Sequence, residues 1–306
     1  MDYLVWVNGE YVPSSEAKIS MRDRGLRAGD VVFDTSRTFN GKVFRLKDHL
    51  ERLYRSLTYV RIDPGMTMDE MEELTLDVIQ RNESIREPGD DYMITQIITR
   101  GEGGRGRHTT KPTVAIWIDP LDFPRYAPLF GEGAHAVIPK TRSYSSDQLD
   151  PKIKHYSRLN FVMAELEATD VDPEAFPILM DAQGNLTEGI GYNFFIVTEG
   201  ALRTPGDSTI LQGISRKVIF ELAEQLGIPA VEEDLQPYDA YTADEVFLAS
   251  TPYSILPVGR VDNRTISDEI PGPVTRQLMA AWSELVGIDI VEQALSRARV
   301  VAQAAG

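Results

Sequence analysis

The chain has 306 residues, 42% of them hydrophobic, enough to build more than one core. Its 31 Lys plus Arg set against 47 Asp plus Glu leave a net charge of 31 − 47 = −16, which argues against nucleic-acid or anionic-membrane partners. Cysteine is absent and the four histidines (His49, His108, His135, His155) are dispersed, so disulfides, thiolate metal sites and His-spaced metal clusters are not expected.

The first residues form neither a basic, apolar leader nor a span of membrane length, so a cytoplasmic soluble protein is the expectation. Apolar alternation predicts strands over residues 4–7, 11–12, 31–39 and 43–44, with Asn8-Gly9 and Asn40-Gly41 as tight hairpin turns. Leu46, Leu50, Leu53 and Leu57 recur at helical spacing, as do Met71, Leu74 and Val78, so two amphipathic helices follow. Strands return at 92–99 and 113–118. The stretch 119–133 holds Pro120, Pro124, Pro128, Gly131 and Gly133 and reads as a connector. The fold class is therefore α+β in two domains: a small N-terminal domain over 1–119, a linker over 120–133 and a larger C-terminal domain over 134–306. In the latter, strands near 134–138, 176–180, 192–197 and 245–248 alternate with helices near 157–168, 215–226 and 274–286.

Several segments of the second half have the residue types of a site. Gly213-Ile214-Ser215-Arg216 opens a helix with an apolar stripe that Gly227 and Pro229 stop, and its first amides and the Ser215 hydroxyl suit a phosphate monoester as well as an ordinary cap. Ser250-Thr251 ends an apolar strand before Pro252, where it forms either a second phosphate contact or a simple turn. Glu188 follows the Gln183-Gly184-Asn185 turn of an apolar hairpin. If buried, it requires a cationic partner; if solvated, it is an ordinary surface charge. Lys154, ahead of the predicted helix, is either a solvated amine or a nucleophile made reactive by desolvation, with Lys152 competing for the role.

Gly101-Glu102-Gly103-Gly104-Arg105-Gly106 matches the G-x-G-x-x-G pattern of dinucleotide sites, but a strand rather than a helix is predicted after it, which removes the helix terminus that pattern needs. With Arg105, Arg107, His108 and Lys111 it is the most cationic patch of an acidic chain and suits a carboxylate.

In this order the segments resemble class IV (fold type IV) pyridoxal phosphate enzymes, the group of branched-chain and D-amino acid aminotransferases, (R)-amine transaminases and aminodeoxychorismate lyase. The resemblance runs from Trp6-Val7-Asn8-Gly9-Glu10 through Asp23-Arg24-Gly25-Leu26, His49-Leu50-Glu51-Arg52-Leu53, Ile153-Lys154, Leu186-Thr187-Glu188-Gly189 and Gly213-Ile214-Ser215-Arg216 to Ala243-Asp244-Glu245-Val246-Phe247. It implies a larger domain with a barrel-like sheet, and pyridoxal 5'-phosphate (PLP) bound covalently at Lys154. It also implies Glu188 on the pyridine nitrogen, Arg158 near the ring, and Arg52, Ile214, Ser215, Ser250 and Thr251 toward the phosphate. On the substrate side it implies Phe33, Arg37, Arg105, Arg107, His108, Pro252 and Tyr253. Arg37 has a second reading as a core-edge ion pair.

Two departures bear on the substrate. Branched-chain enzymes carry an arginine on the strand that here runs 92–99, and Thr95 stands at that position; Pro252 replaces a residue whose backbone N–H assists carboxylate binding. Thr99-Arg100-Gly101, followed by Arg105 and Arg107, is similar to the D-amino acid aminotransferase loop, and residues 266–275 to (R)-amine transaminases. The expected reaction is ping-pong transfer from a D-amino acid or (R)-amine to a 2-keto acid by a homodimer. An L-branched-chain aminotransferase is the alternative, and an aminodeoxychorismate lyase a more distant one.

Overall fold

The computed structural model describes residues 2–103 and 111–305, and its chain divides into two compact units. The first comprises Met1–Leu121 together with the strap Ile153–Ser157; the second takes Asp122–Lys152 and the residues from Arg158 onward.

The first unit is an antiparallel sheet of β1 (Leu4–Val7), β2 (Glu10–Pro13), β3 (Val31–Phe39), β4 (Lys42–Val43), β5 (Tyr92–Thr99) and β6 (Thr113–Pro120), in the spatial order β2-β1-β6-β5-β3-β4. Both predicted Asn-Gly hairpins form: Asn8 and Gly9 have φ of +52° and +106°, Asn40 and Gly41 +51° and +75°, the left-handed pair a two-residue turn demands. After a short α1 (Arg24–Ala28), the two predicted helices are α2 (Leu46–Val60) and α3 (Met68–Asn82). Thr67 starts α3 with a reciprocal capping box to Glu70. Helix α2 packs on β3 and α3 on β1, β5 and β6, burying Leu50, Leu53, Leu57, Met71 and Val78 against Ile94, Ile98 and Ile116. The strap joins this unit through β3: the Phe33 amide donates to the Lys154 carbonyl at 3.0 Å, and Val32 bridges His155.

The second unit opens with α4 (Phe123–Tyr126) and α5 (Leu129–Glu132), so the expected connector carries two short helices whose Phe123 and Phe130 are buried. Its strands are β7 (Ala134–Val137), β8 (Phe176–Pro177), β9 (Glu188–Gly189), β10 (Tyr192–Thr198), β11 (Ala201–Thr204), β12 (Ala230–Glu232), β13 (Glu245–Ser250), β14 (Ser254–Val261) and β15 (Arg264–Thr265). They follow the path β12-β11-β10-β13-β14-β7-β8, with β9 added to β10 and β15 to β14. The central β10, β13 and β14 are almost wholly buried. Helices α6 (Leu159–Thr169), α7 (Ile214–Leu226), α8 (Pro237–Tyr241), α9 (Pro273–Val286) and α10 (Ile290–Ala305) complete the unit. The strand expected over 176–180 is two residues long, although the chain goes on pairing through Ile178, Leu179 and Met180 before it turns at Asp181, which accepts from the amides of Gln183 and Asn185. Helix α9 is capped from a distance: buried Glu245 accepts from the amides of Val274 and Thr275, both at 2.8 Å. Together the two units form an α+β chain.

Candidate active site

The strap of the first unit separates the two candidate lysines. Lys154 is 8% exposed, with its Nζ 4.7 Å from the centroid of the Phe33 ring, whereas the Lys152 side chain is 39% exposed and pairs with Asp150 at 3.1 Å in the second unit. Tyr156, two residues on, stacks on the same Phe33 ring with centroids 3.8 Å apart. The Lys154 amide donates to Ser56 Oγ at 3.3 Å, tying the strap to α2.

One buried face of α2 carries His49, Arg52 and Ser56, at the three- and four-residue spacing of a helix. Arg52 holds fully buried Asp34 of β3 through Nε at 2.8 Å and Nη2 at 2.7 Å, and His49 Nδ1 lies 2.8 Å from Asp34 Oδ1. Burial alone raises the Asp34 pKa, but the Arg52 charge and the His49 hydrogen bond override it and hold the carboxyl well below the usual range. Burial lowers the His49 pKa and outweighs the opposing pull of Asp34, with the Arg52 and Lys154 charges adding to the burial effect; beside a carboxylate, which can only accept, Nδ1 is the donor. Arg52, a surface residue on helical periodicity alone, is 4% exposed.

Phe33, Thr35 and Arg37 alternate onto one face of β3. Arg37 donates from Nε to the Thr38 carbonyl at 3.0 Å, lies 3.8 Å from the Phe39 ring centroid and approaches Asp91 to 3.9 Å. Burial pushes its pKa down to about 10, against the pull of Asp91, and leaves it charged at neutral pH. These contacts favour the ion-pair reading of Arg37. Thr35 and Thr95 face each other across β3 and β5 with hydroxyls 3.3 Å apart. Arg100 is engaged within the first unit by Asp30 at 2.7 Å and by the carbonyls of Val60 and Arg61. Arg105, Arg107 and His108 lie outside the described residues. From Lys111 the chain runs into β6, which is the first element after the glycine motif among the described residues.

In the second unit, Asn193 of β10 is a hub to which the sequence, where Asn193-Phe194-Phe195 belongs to the family-like pattern, assigned no role. It pairs in register with Glu188 on one side and Ala249 on the other, and its Nδ2 reaches Glu188 Oε2 at 3.2 Å and the Leu211 carbonyl at 3.0 Å. Glu188 is 8% exposed and accepts from the Leu211 amide at 3.0 Å as well, so it is a buried carboxylate rather than a solvated hairpin charge. Gly213 follows at the start of α7, where a Cβ would stand 2.1 Å from Asn193 Oδ1. No side chain caps this helix, although Ile214 and Ser215 in its first turn are buried. Arg158 donates to the Ile190 carbonyl in the turn that follows Glu188. Ser250 donates to the Gly191 carbonyl in that same turn, and half-buried Thr251 and Pro252 lead on to Tyr253. Tyr253 is buried against Tyr126 with centroids 5.0 Å apart, and burial pushes its phenol pKa well above 10. The second unit thus brings Arg158, Glu188, the α7 start and Ser250 into one hydrogen-bonded neighbourhood.

These groups have the chemistry PLP requires: a buried amine beside an aromatic ring, a buried carboxylate for a pyridinium nitrogen, and a helix start without a side-chain cap for a phosphate. Among the described residues no metal-ligating cluster is present, and no helix is long and apolar enough to cross a membrane.

Comparison with known proteins agrees with this chemistry. The family model described as amino-transferase class IV matches residues 31–261. A Methanocaldococcus jannaschii protein, provisionally named a branched-chain-amino-acid aminotransferase, is 38% identical over 288 residues, covering 92% of this chain and 96% of its own. The D-alanine aminotransferase of Staphylococcus haemolyticus is 30% identical over 283 residues, covering 92% and 97%. The crystal structure of the T.th. branched-chain amino acid aminotransferase with pyridoxamine 5'-phosphate matches with a TM-score of 0.83 at 27% identity, covering 94% of this chain and 95% of that one. The chain belongs to the class IV aminotransferases and is a PLP-dependent transaminase.

Proposed function

We propose that the enzyme transfers an amino group from a D-amino acid or an (R)-amine to a 2-keto acid. PLP, when bound, supplies the electron sink that acidifies the donor Cα–H. In this reading Lys154 Nζ bonds the cofactor in the resting enzyme and carries the proton at the donor Cα during transfer. Glu188, positioned by Asn193 and the Leu211 amide, accepts the pyridine N–H. Arg52, Ile214, Ser215, Ser250 and Thr251 bind the phosphate, and Arg158 braces the turn beyond Glu188. Phe33, Pro252 and Tyr253 shape the donor side, Arg37 keeps its core-edge ion pair with Asp91 rather than binding a carboxylate, and Arg105, Arg107 and His108 take the keto-acid carboxylate.

The observation that carries the donor assignment is the pair Thr35–Thr95. Neutral hydroxyls 3.3 Å apart occupy the face of β3 and β5 where the branched-chain pattern calls for a guanidinium, so the L-amino acid carboxylate arrangement lacks its cation. An L-branched-chain aminotransferase is the second reading, favoured by the 38% identity to the Methanocaldococcus jannaschii relative. The enzyme works as a homodimer in the cytoplasm in either case.

The test is a spectral titration of the purified holoenzyme with D-alanine, (R)-1-phenylethylamine and L-leucine, followed by 2-oxoglutarate or pyruvate. The first two donors are expected to bleach the bound cofactor. Bleaching by L-leucine alone would transfer the assignment to the second reading, and pyruvate release from aminodeoxychorismate without an acceptor would indicate a lyase.

A further inference from the structure

The interior of the first unit contains a charged cluster of which only Arg52 has a part in the proposed reaction. Asp34 has no solvent exposure, yet it carries a full charge. Its Oδ1 accepts from the Thr35 amide at 2.7 Å, from His49 Nδ1 at 2.8 Å and from Arg52 Nη2 at 2.7 Å, and its Oδ2 from Arg52 Nε at 2.8 Å. A buried ion pair of this kind is rarely a net gain in stability over apolar packing, so its retention calls for another reason.

The geometry supplies one. Two parallel N–H···O bonds from Nε and Nη2 fix both the position and the plane of a guanidinium. Covalent geometry then makes Nη1 the edge turned away from Asp34. Without the carboxylate, Arg52 would be a long, flexible side chain with rotamer entropy to lose when it binds an anion. His49 in turn holds the carboxylate, and its depressed pKa keeps it an uncharged donor that does not compete with Arg52 for the charge. One turn further along the helix, Ser56 Oγ donates to the Arg52 carbonyl at 3.1 Å and accepts the Lys154 amide, so the same face of α2 also registers the strap.

We propose that Asp34, oriented by His49, is the positioning residue that aims Arg52 at the cofactor phosphate, making affinity for the phosphate a property of the β3–α2 contact. This rests on the reading of Arg52 as a phosphate ligand.

The test compares equilibrium dissociation constants of PLP and of unphosphorylated pyridoxal for the full chain, because a role confined to general stability would weaken both alike. Asp34→Asn is expected to weaken PLP binding by roughly 10- to 100-fold, the range found when a group that orients a ligating side chain is removed, while pyridoxal affinity stays near that of the parent. Asp34→Glu, which keeps the charge, is expected to restore most of the loss. Should Asp34→Asn not fold, His49→Ala carries the test: it removes one of the bonds to Asp34 and is expected to lower the preference for PLP by about 2- to 10-fold, one hydrogen bond's worth. An unchanged preference in the folded variants overturns the inference. Arg52→Gln separates the two levels. If it abolishes the preference while the Asp34 and His49 variants keep it, only the positioning role fails; if Arg52→Gln keeps it too, the phosphate assignment of Arg52 fails with it.

Discussion

Lys152 and Lys154 are two residues apart and differ in what decides reactivity, since one is solvated beside a carboxylate and the other lies against an aromatic ring with 8% exposure. Desolvation and a fixed position make an amine competent. Lys154→Ala is expected to lower transamination by at least about 100-fold, the low end for a positioned proton-transfer group, and Lys152→Ala to leave it near the parent rate. Turnover assays and borohydride trapping of the modified peptide check both, and full activity in Lys154→Ala would remove the assignment. His49 and Asp34 make a second prediction, about pH. Burial, helped by the Arg52 and Lys154 charges and opposed by Asp34, depresses the His49 pKa, so the unfolded chain binds the extra proton first and this residue destabilises the fold as pH falls below about 6.5. Asp34, with its pKa depressed, contributes stability that is complete above about pH 4 and is lost below it as the native carboxylate protonates. Thermal melts across pH 4 to 8 should show the first decline, and His49→Asn should flatten it.

At the scale of elements, α2 combines two stripes. Leu46, Leu50, Leu53 and Leu57 face the core, and their period is plain in the sequence; His49, Arg52 and Ser56 lie beside them and are equally buried. Charged and polar letters at those positions read as a solvated flank, because one-dimensional periodicity has no means of showing that β3 offers Asp34 opposite them. Leu53→Ala should cost about 2–5 kcal/mol in chemical denaturation, the range for a filled core site. Helix α9 depends on a residue far from it in sequence: Glu245→Ala removes the acceptor for two of its first amides and should cost about 1–2 kcal/mol, as loss of a cap does. An unchanged denaturation midpoint for Glu245→Ala would contradict that capping role.

At the scale of the whole molecule, a net charge of −16 repels anionic keto acids, and charge-assisted hydrogen bonds must overcome that field locally. The cationic run after Gly101 is the candidate that sequence supplies. Arg105→Ala and Arg107→Ala are each expected to raise the keto-acid KM with a smaller effect on kcat, and to raise it more at low ionic strength, where the Debye length grows from ~8 to ~30 Å. Unchanged kinetics in both variants would dismiss the loop from carboxylate binding.

The sequence by itself determined the α+β class, both Asn-Gly hairpins, the strands 31–39 and 92–99, helices α2, α3 and α7, and the family, because these depend on periodicity, turn chemistry and the order of motifs along the chain. Only the tertiary structure decided which of two lysines is buried, that Glu188 is held by Asn193 and the Leu211 amide, that Arg37 lies against Phe39 near Asp91, and that Asp34, His49 and Arg52 form one cluster. The physical reason is the range of the interactions. Turns and amphipathic stripes involve neighbours two to four residues apart, whereas burial of a charge is tolerated only where packing brings a partner from a distant strand or helix to meet it.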